Sequence, residues 1–249
     1  METGYIRDVW EFPDGSKEVE EKHTGRYGAK GMPRKKKEKA SPEAIEYQNQ
    51  WKRETTVRRL IKWNFKPGDY WVTLTYRKGE RPSYEALKKD VAKFIRKTRQ
   101  EYRKAGQEMK YIYRMEIGKK GAPHMHILLN RFANETTATD EILRKTWTAG
   151  HAAIKSVYAD GDYRALAEYI TKKPGDWEPA ELKNYISSRN LTRKEAKRKV
   201  IHRRTLGEGK MPTAPKGYYV DPDSVRMGIN PITGYRYRHY TLIEVKRRN

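Results

Sequence analysis

Four segments in the middle of the chain carry apolar or β-branched residues at alternating positions. This alternation has the two-residue period of a strand, in which successive side chains point to opposite faces. The first segment is also rich in β-branched and aromatic residues, which favour strands. The predicted strands span residues 70–76, about 110–117, 123–130 and 151–158.

Segments with a helical period lie between and after these strands. Ser83 begins a helix with one apolar stripe, and Gly106 ends it. A short helix is expected at 139–147, and a further helix, capped by residues 160–162, runs to about residue 173. The order β-α-β-β-α-β-α predicts an α+β fold, in which a central antiparallel sheet has the ferredoxin-like split βαβ topology with helices on one face. The opposite face would then be free for a metal ion and nucleic acid.

Both ends of the chain are predicted to be basic additions to this sheet. Residues 1–67 are expected to form a basic N-terminal extension with one long helix, and residues 68–176 the central domain. Residues 177–249 are expected to form a basic C-terminal region with a possible role in DNA recognition. That region contains a basic helix candidate at 192–205 and an alternating basic and aromatic strand at 235–241.

The charge balance indicates a polyanionic partner. The 249 residues include 55 Lys and Arg against 32 Asp and Glu, which gives a formal net charge of +23. Nucleic acid is the polyanion that such an excess favours, and 18 Tyr and 6 Trp residues suit stacking on unpaired bases. The sequence has no cysteine, no apolar signal segment at its start and no apolar stretch of membrane length. We therefore expect a soluble intracellular protein that uses neither disulfides nor thiolate metal sites and has no membrane partner.

The strand at 123–130 carries two histidines on one face. Because His124 and His126 are two residues apart, one metal ion can bridge their imidazoles. Glu116 lies in the preceding strand, and the short glycine-containing link at 118–122 suits a hairpin that brings its carboxylate across from the histidines. Two imidazoles and a carboxylate form a three-ligand site with positions open to water or phosphate. The alternative is a polar face that is only solvated or hydrogen-bonded.

A tyrosine on the last predicted helix is the candidate nucleophile. Tyr169 and Lys172 are three residues apart and therefore neighbours on a helix. A phenol has a pKa of about 10, so a nearby ammonium and a metal-polarised phosphate would both assist its attack on a phosphodiester. Tyr163 lies about 240° further round the helix, so we predict a single nucleophile and a packing or DNA-contacting role for Tyr163. Packing is also the alternative for Tyr169.

Three motifs in order resemble the rolling-circle replication initiators of the HUH endonuclease superfamily, which occur in phages, plasmids and small DNA viruses. Residues 71–76 are similar to their first motif, and His124-Met125-His126 is similar to the histidine-hydrophobic-histidine second motif. Tyr169-Ile170-Thr171-Lys172 is similar to the third. Tyrosine follows the histidines, as in initiators and unlike relaxases. The resemblance covers roughly residues 68–175.

The resemblance implies a metal-dependent endonuclease that nicks and joins single-stranded DNA and so initiates rolling-circle replication. Tyr169 would form a 5′-phosphotyrosine intermediate, and Lys172 would position the tyrosine or balance charge. Glu116, His124 and His126 would hold Mg²⁺ or Mn²⁺ against the scissile phosphate. The mixed nitrogen and oxygen ligands suit Mn²⁺ better, although cellular abundance can decide for Mg²⁺.

Further side chains near these motifs are expected to bind DNA. They are Thr73, Thr75, Arg114, Lys119, Lys120 and Tyr163. The DNA would be the single strand exposed at a replication origin. Because the sequence has no Gly-x-x-x-x-Gly-Lys-Ser/Thr loop, unwinding and synthesis would depend on a host helicase and polymerase, in the cytoplasm of a bacterial host.

Two other functions fit the same residues. A single-strand transposase of the same superfamily would use the same chemistry, but the basic regions at both ends favour replication. A non-catalytic nucleic-acid-binding module would use an RRM-like sheet with exposed aromatic residues, and the histidines and Glu116 would then be incidental. Three motifs in the expected order favour the enzyme.

Overall fold

The computed structural model describes most of the chain. The described residues are 4–24, 41–157, 163–175, 177–179, 182, 185–201, 203–206, 210–230 and 234–245. The chain divides into two compact units. The larger unit is Gln50–Thr192, and the smaller unit combines Met1–Asn49 with Arg193–Asn249.

The described residues form four α-helices, eleven strands and two short 3₁₀-helices. The α-helices are α1 (Pro42–Asn64), α2 (Tyr84–Lys104), α3 (Thr139–Thr146) and α4 (Arg164–Thr171). The strands are β1 (Tyr5–Glu11), β2 (Lys17–His23), β3 (Tyr70–Tyr76), β4 (Tyr111–Ile117), β5 (Pro123–Leu129), β6 (Gly150–Ser156), β7 (Ile186–Ser187), β8 (Lys197–Ile201), β9 (Tyr218–Val220), β10 (Arg226–Ile229) and β11 (Arg236–Glu244). The 3₁₀-helices are Arg203–Leu206 and Pro222–Ser224. None of the described helices combines the length and the apolar character that a bilayer crossing requires.

The larger unit is built on a five-stranded antiparallel sheet. Its strands lie in the order β6-β3-β5-β4-β7. Without the edge strand β7, this is the ferredoxin-like order of a β-α-β-β-α-β unit. The predicted α+β class and central antiparallel sheet are confirmed.

Helices α2 and α3 cover one face of this sheet with an apolar core. Val72, Leu74 and Ile127 point to that face and are fully buried. Leu87 and Phe94 of α2 pack against them because the apolar residues of α2 recur with the helical period. This packing confirms helices on one face of the split βαβ unit.

Both ends of α2 carry the signals that the sequence predicts. Ser83 Oγ accepts a hydrogen bond from the Ala86 amide at 3.3 Å, which satisfies one backbone donor of the first turn. Gly106 follows the helix with φ of +70°, a left-handed conformation that glycine adopts without steric cost. The predicted start and end of this helix are therefore confirmed.

Helices α1 and α4 pack on the opposite face, where Ile112 and Leu128 point. These two side chains are fully buried in a cluster with Ile61 of α1 and Ile170 of α4. The prediction that this face would be free is therefore wrong over this part of the sheet. The physical reason is that its apolar residues need cover from water. The same face also presents His124, beyond this cluster, on the half-buried part of β5.

Helix α4 begins at a buried tyrosine. Tyr163 precedes the helix with φ of +48° and is 8% exposed within the apolar cluster. A bulky residue rarely adopts left-handed backbone, so the conformation depends on this packing. The predicted cap at 160–162 lies outside the described residues.

The smaller unit joins strands from both ends of the chain in one antiparallel sheet. Its order is β10-β11-β2-β1-β8, with β9 beside β11. Strands from the expected regions 1–67 and 177–249 therefore share one sheet. The predicted basic and aromatic strand at 235–241 is confirmed as part of β11.

The helix predicted at 192–205 is wrong, because Lys197–Ile201 forms β8 and pairs with β1. Arg198 donates from Nε and Nη2 to the two carboxylate oxygens of Asp8 at 2.6 and 2.9 Å. The two residues are 190 positions apart. A strand partner this distant outweighs the weak local preference of a basic segment for helix.

Candidate metal and nucleophile site

The β4–β5 hairpin brings a carboxylate opposite an imidazole. In the sheet register, Glu116 pairs directly with His124, and Thr73 of β3 pairs with His126. One ligand atom from each of Glu116, His124 and His126 lies within 4.8 Å of the other two. A divalent cation forms bonds of about 2.0–2.2 Å to such atoms, so small side-chain movements would let one ion contact all three. The structure thus brings together the three predicted ligands.

His126 is held as a neutral imidazole. Its ring stacks on Trp71 with centroids 5.4 Å apart, and its Nδ1 lies 3.0 Å from Thr73 Oγ1. Burial lowers the pKa of His126 to about 4, so the ring is neutral at pH 7. With the proton on Nδ1 and donated to Thr73, Nε2 keeps the lone pair that a metal ligand needs.

His124 is oriented by the turn that precedes β5. Its Nδ1 lies 3.1 Å from the carbonyl oxygen of Ala122, which can only accept, so Nδ1 carries a proton. Nε2 lies 3.6 Å from Glu116 Oε2. The hydrogen bond with Glu116 raises the pKa of His124 above its ordinary value, although burial opposes this. A cation between Nε2 and the carboxylate would replace the proton that now joins them.

Glu116 is an ionised carboxylate in a nearly buried position, 5% exposed. Burial raises its pKa, but hydrogen bonds from His124 and Lys172 and the charges of Lys172 and Arg114 outweigh burial and lower it to about 2. Lys172 Nζ donates to Oε2 at 2.8 Å, and Arg114 Nε lies 2.8 Å from Oε1. Glu116 is therefore the charged centre of the cluster at any physiological pH.

The hydroxyl of Tyr169 lies against the same cluster. Tyr169 Oη is 2.8 Å from His126 Nε2 and 3.4 Å from Glu116 Oε2. The ring meets Trp71 edge-on, with centroids 5.8 Å apart. Burial, followed by the charge of Glu116, raises the pKa of Tyr169 to about 12. The phenol is therefore protonated at neutral pH, and ionisation would require added positive charge.

Lys172 follows α4 and returns to the same side chains. Its Nζ lies 4.3 Å from the centroid of the Tyr169 ring and donates to Glu116. The sequence predicted that Tyr169 and Lys172 are neighbours. Within the described residues, the ammonium contacts the ring face and the carboxylate, and it makes no hydrogen bond to the phenol oxygen.

Arg114, which the sequence predicted to bind DNA, has a side chain that is 0% exposed. Its Nη1 donates to the carbonyl oxygens of Ile170 at 3.3 Å and of Lys172. The same guanidinium reaches Glu116 and lies 3.9 Å from the Glu178 carboxylate. Direct contact with DNA does not fit this conformation, because the guanidinium is enclosed. Arg114 instead ties β4 to the end of the helix that carries the candidate nucleophile.

Glu178 belongs to this network, and sequence analysis missed it. Its Oε1 accepts from the Ile117 amide at 2.9 Å, and its Oε2 accepts from the Gly175 amide at 2.7 Å. These bonds attach the segment after α4 to the end of β4. The sequence shows that Pro174-Gly175 breaks the helix, but it carries no signal for the strand that the following carboxylate reaches.

The other side chains predicted to bind DNA lie in different environments. Thr75 is half-buried and pairs with His124 in the sheet register. Lys119 and Lys120 are exposed in the β4–β5 turn. Tyr163 is buried, which fits the packing role and not direct contact with DNA. DNA binding by Thr75 and the two lysines stays a prediction.

A family model confirms the resemblance at a coarser level. The model of the ORF2 family of replication-associated proteins matches residues 69–174. This segment is less than half of the 249 residues, but it contains β3 to α4 and all three candidate ligands. The central sheet is therefore similar to a replication-associated protein of a small replicon. No curated protein and no solved structure matches the chain.

Proposed function

We propose that this protein nicks and joins single-stranded DNA at a replication origin, with a divalent metal ion and a 5′-phosphotyrosine intermediate. The observation that carries the proposal is the position of the Tyr169 hydroxyl, 2.8 Å from His126 Nε2 and 3.4 Å from Glu116 Oε2. A nucleophile must lie within reach of the metal-bound phosphate, and this hydroxyl lies among the candidate ligands. The match to replication-associated proteins supports DNA as the substrate.

The chemistry of the donor atoms fits a divalent cation. His124 and His126 both direct Nε2 toward the cluster, while their Nδ1 atoms contact the Ala122 carbonyl and the Thr73 hydroxyl. Partners of this kind orient metal-binding imidazoles. Together with Glu116 they offer two nitrogens and one oxygen, a set that suits Mn²⁺ better than Mg²⁺. When bound, the ion would supply Lewis acidity at the scissile phosphate.

Tyr169 would act as the nucleophile in a balanced exchange of two ester bonds. A bond forms between Tyr169 Oη and phosphorus, the bond between phosphorus and the 3′ oxygen breaks, and the phenolic proton passes overall to the 3′ oxygen. The released 3′ hydroxyl would prime synthesis. Because the phosphotyrosine ester conserves the energy of the phosphodiester, the reverse reaction would join strands without ATP.

Lys172 would offset the high pKa of the phenol. The pKa of Tyr169 is raised to about 12, so phenolate is rare at neutral pH. The Lys172 ammonium lies 4.3 Å from the centroid of the tyrosine ring. A positive charge at this distance favours the phenolate that forms during attack.

The cover over the histidine-bearing face argues against a non-catalytic RRM-like module. Such sheets stack bases on aromatic residues of an open face. Here Trp71 contacts both His126 and Tyr169, so its ring is engaged within the cluster. A single-strand transposase would share the chemistry, and the match to replication-associated proteins favours replication over it.

Formation of a covalent adduct tests the proposal. The full chain is incubated with a random-sequence library of single-stranded DNA and Mn²⁺, and DNA that stays attached after denaturation is sequenced. We expect an adduct with the wild-type chain and none with Tyr169→Phe. Tyr163→Phe is the matched control, because it removes a phenol from the buried start of the same helix and should keep the adduct.

Two results would contradict the proposal. An adduct that persists in Tyr169→Phe would show that another residue is the nucleophile. A wild-type chain that binds the library and forms no adduct in Mn²⁺ or Mg²⁺ would favour the non-catalytic module.

A further inference from the structure

A second candidate site lies on the outer side of α2. A shallow cavity of about 390 Å³ is lined by Arg96, Arg99, Gln100 and Arg103. The four positions follow the spacing i, i+3, i+4 and i+7, so they form one stripe along the helix. Because α2 packs on the face of the sheet that buries Val72, this arginine stripe lies on the side of the sheet away from Tyr169.

The arginines of the stripe have no carboxylate partner among the described residues. The three acidic residues of α2 are engaged elsewhere. The pairs are Glu85 with Lys88, Asp90 with the Tyr76 hydroxyl, and Glu101 with Lys104 and Lys145. Like charges three and four positions apart on a helix repel one another. An anion bound at the stripe would relieve this repulsion.

Arg99 is held in place at the middle of the stripe. Its Nη2 donates to Tyr111 Oη at 2.9 Å, and its guanidinium carbon lies 5.8 Å from the centroid of the tyrosine ring. Tyr111 belongs to the apolar core and is 7% exposed. Arg96 and Arg103 flank this fixed guanidinium and are exposed. A side chain that is already ordered loses less entropy when it binds a ligand.

We infer that the arginine stripe binds the phosphodiester backbone of DNA at a place separate from the strand that meets Tyr169. From Arg96 to Arg103 the helix rises roughly 10 Å, an axial length that holds about three phosphates at 3.4 Å per nucleotide. Guanidinium groups match pairs of phosphate oxygens. The formal net charge of +23 supports a polyanionic ligand. This inference does not depend on the nicking chemistry.

Binding measurements with charge variants test the inference. Arg96→Gln/Arg99→Gln/Arg103→Gln removes the stripe, and its affinity is measured for a labelled single strand and for the matching duplex over a range of salt concentrations. We expect affinity to fall by about tenfold or more, and the slope of log affinity against log salt to flatten by about 2 to 3, since each phosphate contact contributes about 0.9. The arm that weakens identifies single-stranded or duplex DNA as the source of the phosphates.

A matched control separates the stripe from general charge. Lys89→Gln/Lys93→Gln/Lys97→Gln removes the same number of charges from exposed positions of the same helix. We expect this control to lose clearly less affinity than the arginine variant. Equal losses in the two variants would reduce the stripe to general surface charge and overturn the inference, as would unchanged binding by the arginine variant.

Two further measurements keep the result interpretable. Arg96→Gln/Arg103→Gln keeps the bond from Arg99 to Tyr111, so it should lose part of the affinity in the same arm without a change in thermal stability. Covalent adduct formation at saturating DNA should stay at the wild-type level in all these variants. The stripe and the nicking chemistry can therefore fail independently.

Discussion

The two faces of the central sheet use the same strands but bury different kinds of residue. Toward α2 and α3, Val72 and Leu74 are fully buried among other apolar side chains. On the opposite face, Arg114 and Glu116 are nearly buried and lie 2.8 Å apart. Apolar burial is favourable in proportion to area, whereas burial of charges costs desolvation that partners must offset. The first face therefore stabilises the sheet, and the second face holds the candidate chemistry at a cost in stability.

The charged face teaches how one network can position several groups. Arg114 contacts a candidate metal ligand and two backbone carbonyls at the end of α4. The helix that carries Tyr169 is thus attached to the strand that carries Glu116. A nucleophile and a ligand that share one partner keep their spacing, and reactivity depends strongly on such spacing. The comparison predicts that the two faces respond differently to substitution.

The largest effect is expected on the charged face. Arg114→Met would leave carbonyl groups of α4 and the carboxylate of Glu178 without their buried partner. We expect the free energy of unfolding to fall by about 3–5 kcal/mol, as measured by denaturant titration. Arg114→Lys, which keeps the charge and loses the planar fork, should recover part of the loss. Wild-type stability in Arg114→Met would show that the network does not hold the two elements together.

On the apolar face, Leu74→Ala should affect stability and spare the site. The substitution leaves a cavity in the core, so we expect a loss of about 2–5 kcal/mol in the free energy of unfolding. Leu74 points away from Glu116, and calorimetry on the folded variant should give wild-type affinity for Mn²⁺. A change in that affinity would show that the two faces are coupled.

The smallest change in stability is expected for His124→Ala, because this side chain is only half-buried. Loss of a partner in the outer shell of a metal already costs about 10–100-fold in affinity, so loss of a ligand should weaken Mn²⁺ binding by about tenfold at least. Calorimetry measures the affinity, and His151→Ala, on an exposed position of β6, is the control. Chelation of divalent ions should also abolish the wild-type adduct. Equal Mn²⁺ affinity in His124→Ala and wild type would rule out this ligand.

The sequence by itself determined the central strands and which residues share a face. Alternation along β4 and β5 placed Glu116, His124 and His126 on one face, and the short link between the strands set their register. Tyr169 and Lys172 followed from helical spacing. These features are local, since the period of a strand or helix decides where a side chain points.

Only the tertiary structure decided which partners those side chains meet. Lys197–Ile201 became a strand because β1 offers it a paired edge and Asp8 binds Arg198. Arg114 has the sequence character of a surface DNA contact, but the end of α4 and Glu178, both more than fifty residues later, enclose it. Helix α1 likewise covers apolar residues on a face that the strand pattern alone left open. The physical reason is that burial and pairing depend on segments distant in the chain, and no local pattern records which of them will arrive.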